Sequence, residues 1–142
     1  MNDSLLITIL ILALITILFL LVASQQGKTS QNKKTKIYDK LYSLKESVGS
    51  EETSIRRDAI IKLDNLLSKS LQYRYSNDKN CGDNLKLAKK LFRKNDYQRI
   101  WDAHKIRNNI VHNDLDISKQ EAIKAYNIYK LSIGKVLKWK KL

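Results

Sequence analysis

The residues best equipped for chemistry fall in one short stretch, Trp101-Asp102-Ala103-His104-Lys105-Ile106-Arg107-Asn108-Asn109-Ile110-Val111-His112. A guanidinium is a planar fork for phosphate or carboxylate oxygens, and an imidazole is the side chain best matched to moving protons near neutral pH. On a helical wheel of about 100° per residue with Arg107 at the origin, His104, Asn108 and His112 follow at roughly 60°, 100° and 140°. One edge of such a helix presents a guanidinium, an amide and two imidazoles side by side. Ala103 and Ile110 flank Arg107 on one side and Ile100 and Val111 on the other, so Arg107 points from the apolar face. Each residue also has a plain structural reading, because a long Arg can snorkel from an apolar face and a His at a helix C-terminus is favoured by the dipole.

A second irregularity lies upstream. Asp64 falls within the stripe Ile60, Leu63, Leu67 and Leu71, where an unpaired carboxylate is costly to bury. A buried Arg and a buried Asp on neighbouring helices are each other's obvious partners, so Arg107 and Asp64 are expected in contact. The alternative places Asp64 at the rim of the stripe, in water.

The elements that must position these groups can be read from spacing. Ile37, Leu41, Leu44 and Val48 recur at helical intervals, giving an amphipathic helix from Lys36 to Val48 ended by Gly49. A second helix runs from about Thr53 to Tyr73. Asn80-Cys81-Gly82-Asp83 reads as a loop with Asp83 as N-cap of a short third helix through Leu85, Ala88, Leu91 and Phe92. Asn95-Asp96 opens the fourth helix, which carries Tyr97, Ile100, Trp101, Ala103 and Ile106 to about Val111. Ser118-Lys119-Gln120-Glu121 is a capping box that starts a fifth, with Ala122, Tyr126, Tyr129, Ile133 and Val136 along one stripe. Short loops favour an up-and-down bundle of four to five helices.

With those elements in place, Arg107-Asn108-Asn109-Ile110-Val111-His112 resembles the Arg-x4-His motif, with Asn directly after Arg, of the HEPN superfamily (higher eukaryote and prokaryote nucleotide-binding domains). Ala59 to Leu67, Gly82-Asp83-Asn84-Leu85 and Trp101 to Ile106 resemble an uncharacterised bacterial HEPN-like family. The resemblance covers about Lys36 to Leu137. It implies a helical bundle that dimerises through the fourth-helix face carrying Trp101, His104, Asn108 and His112, and metal-independent cleavage of RNA. Carried onto this chain, Arg107 and His112 are the catalytic pair with Asn108 beside them, and Asp64 and His104 have supporting roles. Where the family has Glu this chain has Lys62, which thins the acidic cluster around Asp64. Many HEPN domains are inactive and only bind nucleotides, RNA or a partner, so a non-catalytic dimerisation or scaffold module is the alternative.

Composition narrows the classes further. The 142 residues contain 27 Lys plus Arg against 14 Asp plus Glu, a formal net charge of +13, with no proline, four glycines and two Phe. That is room for one modest all-α domain and excludes the turn-rich, aromatic-rich composition of a small β-barrel. One cysteine, Cys81, and two histidines cannot furnish an internal disulfide or an ordinary structural zinc site, so no metal and no cofactor is expected. The positive excess suits a polyanion such as RNA, and equally a lipid surface.

From Leu5 to Ala23 there is no charged residue, and at about 1.5 Å per residue that run spans roughly 28 Å, close to the hydrocarbon thickness of a bilayer. Residues 1–23 are therefore expected as a transmembrane anchor. A cleaved signal peptide is the rival, since Val22-Ala23-Ser24 offers small residues, but the run is long and Met1-Asn2-Asp3-Ser4 has no basic side chain. Lys28, Lys33, Lys34, Lys36 and Lys40 follow the span and no Lys or Arg precedes it. Domain 36–142 is accordingly expected in the cytoplasm of a bacterium, with the anchor in the inner membrane. Residues 24–35 read as a flexible basic tether. Gly27-Lys28-Thr29 mimics the end of a phosphate-binding loop, but the Gly needed five positions earlier is Val22.

Overall fold

The computed structural model describes residues 2–138, and the side chains of all of these but 26–30. Every regular element is helical: α1 (Asp3–Val48), α2 (Thr53–Tyr75), α3 (Cys81–Leu87), α4 (Lys94–His112) and α5 (Lys119–Leu137), with one 3-10 turn (Ala88–Leu91) after α3. The chain divides into two compact units, one through Lys36 and one from Ile37 onward, and each is taken by itself below.

In the first unit, Asp3–Gln25 is long and apolar enough to cross a membrane, and no part of it is covered by protein. Leu12, Leu14, Leu20 and Phe19 are all more than half exposed, an apolar surface that water does not tolerate and lipid does. The two threonines in the run return their hydroxyls to their own helix, Thr8 to the Ser4 carbonyl at 2.8 Å and Thr16 to the Leu12 carbonyl. Such internal satisfaction is what a lipid environment requires.

The segment 24–35, expected as a flexible basic tether, is helical in its backbone as part of α1. Its composition explains the difference. It contains no proline and only one glycine, and an extra helical residue added to an existing helix avoids the nucleation cost that a separate helix must meet. Ser24 and Thr35 bond back to the carbonyls of Leu21 and Gln31, so their hydroxyls do not compete with the helix.

The second unit is a helical bundle around one core. Tyr38, Leu41, Leu44 and Val48 of α1, Leu63, Leu67 and Leu71 of α2, Leu85 of α3, Ile100 of α4 and Tyr129, Ile133 and Val136 of α5 are all buried. Helix α2 is central, with α3, α4 and α5 all packed on it. Its apolar stripe is broader than the sequence expectation and includes the buried polar side chains Arg56, Asp64 and Ser70. The Ser118–Glu121 capping box is present at the start of α5 as expected. Helix α3 starts one turn early, at Cys81, because Asn80 rather than Asp83 is the N-cap and accepts from the Asp83 amide. Helix α4 starts at Lys94 with no side-chain cap.

Arg56 is 8% exposed and ties the loops at one end of the bundle together. Its guanidinium donates to the carbonyls of Ile117 (2.9 Å), Ser50 (2.8 Å) and Glu51 (2.7 Å) and to the Thr53 hydroxyl (2.8 Å). The next residue, Arg57, pairs with Asp114 in the loop between α4 and α5. These two arginines set how α4 leads into α5.

Candidate functional site

Four helices each deliver a polar side chain to one point in the bundle. Asp64 of α2 supplies a carboxylate only 4% exposed. Helix α4 brings His104, whose Nδ1 lies 2.8 Å from Asp64 Oδ1, and Arg107, whose Nε lies 3.7 Å from Asp64 Oδ2. Helix α5 brings Tyr129, whose hydroxyl donates to Asp64 Oδ1 at 3.1 Å. The Cys81 thiol of α3 approaches the same oxygen at 3.9 Å. The pairing of Arg107 with Asp64 read from the two helical wheels is thus present. Its geometry is that of a charge contact, since 3.7 Å is too long for a hydrogen bond and Arg107 Nε has no hydrogen-bond acceptor among the described residues.

Asn108 extends the cluster along α4. Its amide oxygen accepts from Arg107 Nη1 at 3.0 Å, and its amide nitrogen lies 3.4 Å from His104 Nε2. Arg107, Asn108, His104 and Asp64 therefore close a ring, with the Arg107–Asp64 charge contact as its fourth side. Trp101 stands edge-on to the His104 ring, with centroids 5.8 Å apart and planes at 77°. The first turn of α3 lies over this edge: a Cβ on Gly82 would come to 3.6 Å from the Trp101 ring and 3.8 Å from His104 Nε2. The face expected to carry a dimer contact is thus partly covered from within the chain. His104 keeps 12% of its side chain exposed and Arg107 24%.

His112 stands apart. It is the last residue of α4, exposed, and its ring has no polar partner among the described residues. Five residues past Arg107, it is about 7.5 Å further along the helix axis. The structure therefore gathers Asp64, His104, Arg107 and Asn108, adds Tyr129 and Cys81, and leaves His112 outside the cluster. Lys62 pairs with Asp58 at 2.6 Å on the exposed side of α2.

The protonation pattern follows from burial and from the Asp64 charge. Burial and the neighbouring carboxylate push the Cys81 thiol well above its ordinary value, with the Arg107 cation acting weakly the other way. The same causes raise the Tyr129 hydroxyl far out of its usual range. Both stay neutral, and both serve Asp64 as donors.

Asp64, Cys81 and His104 place potential ligand atoms within 4.8 Å of one another. A cation there would have to displace the donors that Asp64 already holds from His104 and Tyr129. It would also have to remove the Cys81 proton, which burial and the Asp64 charge hold in place. The donor set is built as a closed hydrogen-bonded cluster, and its chemistry does not favour a metal.

Tyr129 and Cys81 are the members that sequence reasoning missed. The usable signal was Tyr129 itself, a hydroxyl in the middle of an apolar stripe that requires a buried acceptor. Cys81 gave none, since a lone thiol reads as a small apolar residue.

No protein-family model, no curated protein and no solved structure matches this chain.

Proposed function

We propose that the protein is a single-pass membrane protein of the bacterial inner membrane whose cytoplasmic, HEPN-like bundle acts on RNA as a metal-independent endoribonuclease. The observation that carries this reading is the state of Arg107. Its guanidinium is anchored by Asn108 and balanced by a buried carboxylate, and the Arg107 side chain as a whole keeps about a quarter of its surface open at the edge of α4. A preorganised arginine on a partly open edge suits phosphate oxygens. His112, exposed further along the same helix, is free to exchange a proton with solvent or substrate.

RNA brings its own nucleophile. The 2′-oxygen attacks the phosphorus, the 5′-oxygen leaves, and the product strand ends in a 2′,3′-cyclic phosphate. In this reading Arg107 holds the phosphate, His112 transfers protons and Asn108 steadies Arg107. A two-fold dimer through the α4 edge brings two such sets to one cleft. The basic residues that follow the span support the cytoplasmic orientation.

The test is incubation of the full chain, in nonionic micelles, with end-labelled RNA and with DNA of the same sequence, with and without EDTA. Cleavage of RNA alone, unaffected by EDTA, is the expected result. RNA that is bound but intact from pH 5 to 9, a range bracketing about 6.5 for an ordinary imidazole, would leave the second reading.

That second reading, a non-catalytic dimerisation or scaffold module, draws on exposed apolar side chains of α4 and α5. Leu131 is 67% exposed, Val111 45% and Ile123 41%. Exposed apolar side chains of this size suit contact with a partner.

A further inference from the structure

The donors and acceptors in the ring around Arg107 can be assigned in only one way. Asp64 is buried beside the Arg107 cation and takes the Tyr129 hydroxyl, so its Oδ1 is an acceptor toward His104 and the Nδ1 of His104 carries a proton. At the far end, Arg107 Nη1 can only donate, so the Asn108 atom 3.0 Å away is the amide oxygen. The other end of that amide, which faces His104 Nε2, is then NH2, a donor. His104 Nε2 must accept. The ring therefore holds only with His104 neutral and protonated on Nδ1.

Asn108 is the only hydrogen-bond acceptor that the Arg107 guanidinium has among the described residues, because Nε remains without one and its contact with Asp64 is 3.7 Å. The amide that anchors Arg107 is itself oriented by the lone pair of His104. If Nε2 gains a proton or the acceptor is removed, Asn108 must turn its oxygen toward His104 or lose that partner. Turning it sets NH2 against the Arg107 Nη1 donor. The charged and titratable groups around His104 are Asp64 from α2, Cys81 from α3 and Arg107 from its own helix, and Tyr129 from α5 reaches it through Asp64.

We propose that His104 is a positioning residue for the Arg107 guanidinium, acting through the Asn108 amide. The inference rests on the reading that Arg107 binds phosphate. It assigns His104 to holding Arg107 in place and leaves proton transfer to His112.

The experiment measures binding of a fluorescent, fully 2′-O-methylated RNA oligonucleotide, which cannot be cleaved, to the full chain in nonionic micelles by anisotropy. His104→Gln keeps both a donor for Asp64 and an acceptor for Asn108, and should bind within about threefold of the unaltered chain. His104→Leu and Asn108→Leu should each weaken binding about tenfold, the scale of one hydrogen bond to a charged group. Because both act through one amide, the double variant should lose no more than either single one. Circular dichroism confirms that each variant is helical. Wild-type binding by His104→Leu, losses that add in the double variant, or failure of His104→Gln to restore binding would each overturn the proposal.

Nitrogen-15 spectra of histidine- and arginine-labelled protein supply an arm that does not depend on RNA. Nε2 of His104 should be unprotonated at pH 7.5, and its protonation should move the Arg107 side-chain resonances. If no form binds RNA but this coupling is present, the RNA reading fails and the positioning role stands. If Arg107 is indifferent to the state of His104, the positioning role fails whatever the RNA result.

Discussion

His104 and Asp64, 40 residues apart in sequence, meet in a 2.8 Å hydrogen bond at the centre of a polar cluster inside the bundle. The carboxylate also receives the Tyr129 hydroxyl and stands beside Arg107, so one side chain of α2 holds polar groups from α4 and α5 in register.

Replacing that carboxylate should be severe. Asp64→Ala leaves a half-buried arginine without its counter-charge and two donors without an acceptor, and should cost on the order of 3 kcal/mol. Chemical denaturation of the full chain in nonionic micelles measures it. A change below about 0.5 kcal/mol would place the pair among ordinary surface contacts.

The Cys81 thiol, raised by burial and by Asp64, should be inert in the folded chain. Iodoacetamide at pH 8 should alkylate it at least about a hundredfold more slowly than in the denatured chain, because thiolate and access are both lacking. Equal rates would show that α3 does not stay closed over the cluster.

The start of α5 carries an acid-sensitive element. Glu121 accepts from the Ser118 hydroxyl and backbone amide, which hold its carboxyl below its ordinary value. A lowered value means that its contribution to stability is present above the usual carboxylate range and is lost as pH falls through the folded-state value. Ser118→Ala should cost about 1 kcal/mol at neutral pH and should flatten the loss of stability on the acid side. An unchanged acid limb, compared in denaturation curves at pH 7 and pH 3, would contradict this.

The helix long enough to cross a membrane should place the bundle in the cytoplasm. A reporter active only in the cytoplasm, fused after Leu142, is expected to be active, and neutralising Lys28, Lys33, Lys34, Lys36 and Lys40 together should weaken the bias. Activity of a periplasmic reporter at the same point would reverse the orientation.

Local signals were legible in the sequence. The capping box at Ser118, the apolar stripes of α2 and α5 and the misplaced Asp64 each depend on residues within a few turns, and each is where spacing put it. The helical continuity of 24–35 was not legible, because its polar residues lack a period and the helix there is propagated from the segments on either side. Asn80 was passed over as a cap because Asp83 offers the same chemistry three residues on, and Asp83 instead donates its amide to Asn80. The convergence of Cys81 and Tyr129 on Asp64 is a tertiary fact from three helices, invisible to any one of their patterns. The different surroundings of the two histidines of α4 are set by packing, which encloses His104 and leaves His112 in solvent.

If the α4 edge cleaves RNA with Arg107 on the phosphate and His112 moving the proton, end-group analysis of RNA incubated with three forms of the full chain will show it. The unaltered chain should yield fragments ending in a 2′,3′-cyclic phosphate in the presence of EDTA. His112→Ala should remain folded and yield none, and Arg107→Lys, which keeps the charge but loses the bidentate fork, should cut at least about a hundredfold more slowly. Undiminished cleavage by His112→Ala would remove His112 from the chemistry, and intact RNA with the unaltered chain would remove the nuclease activity itself.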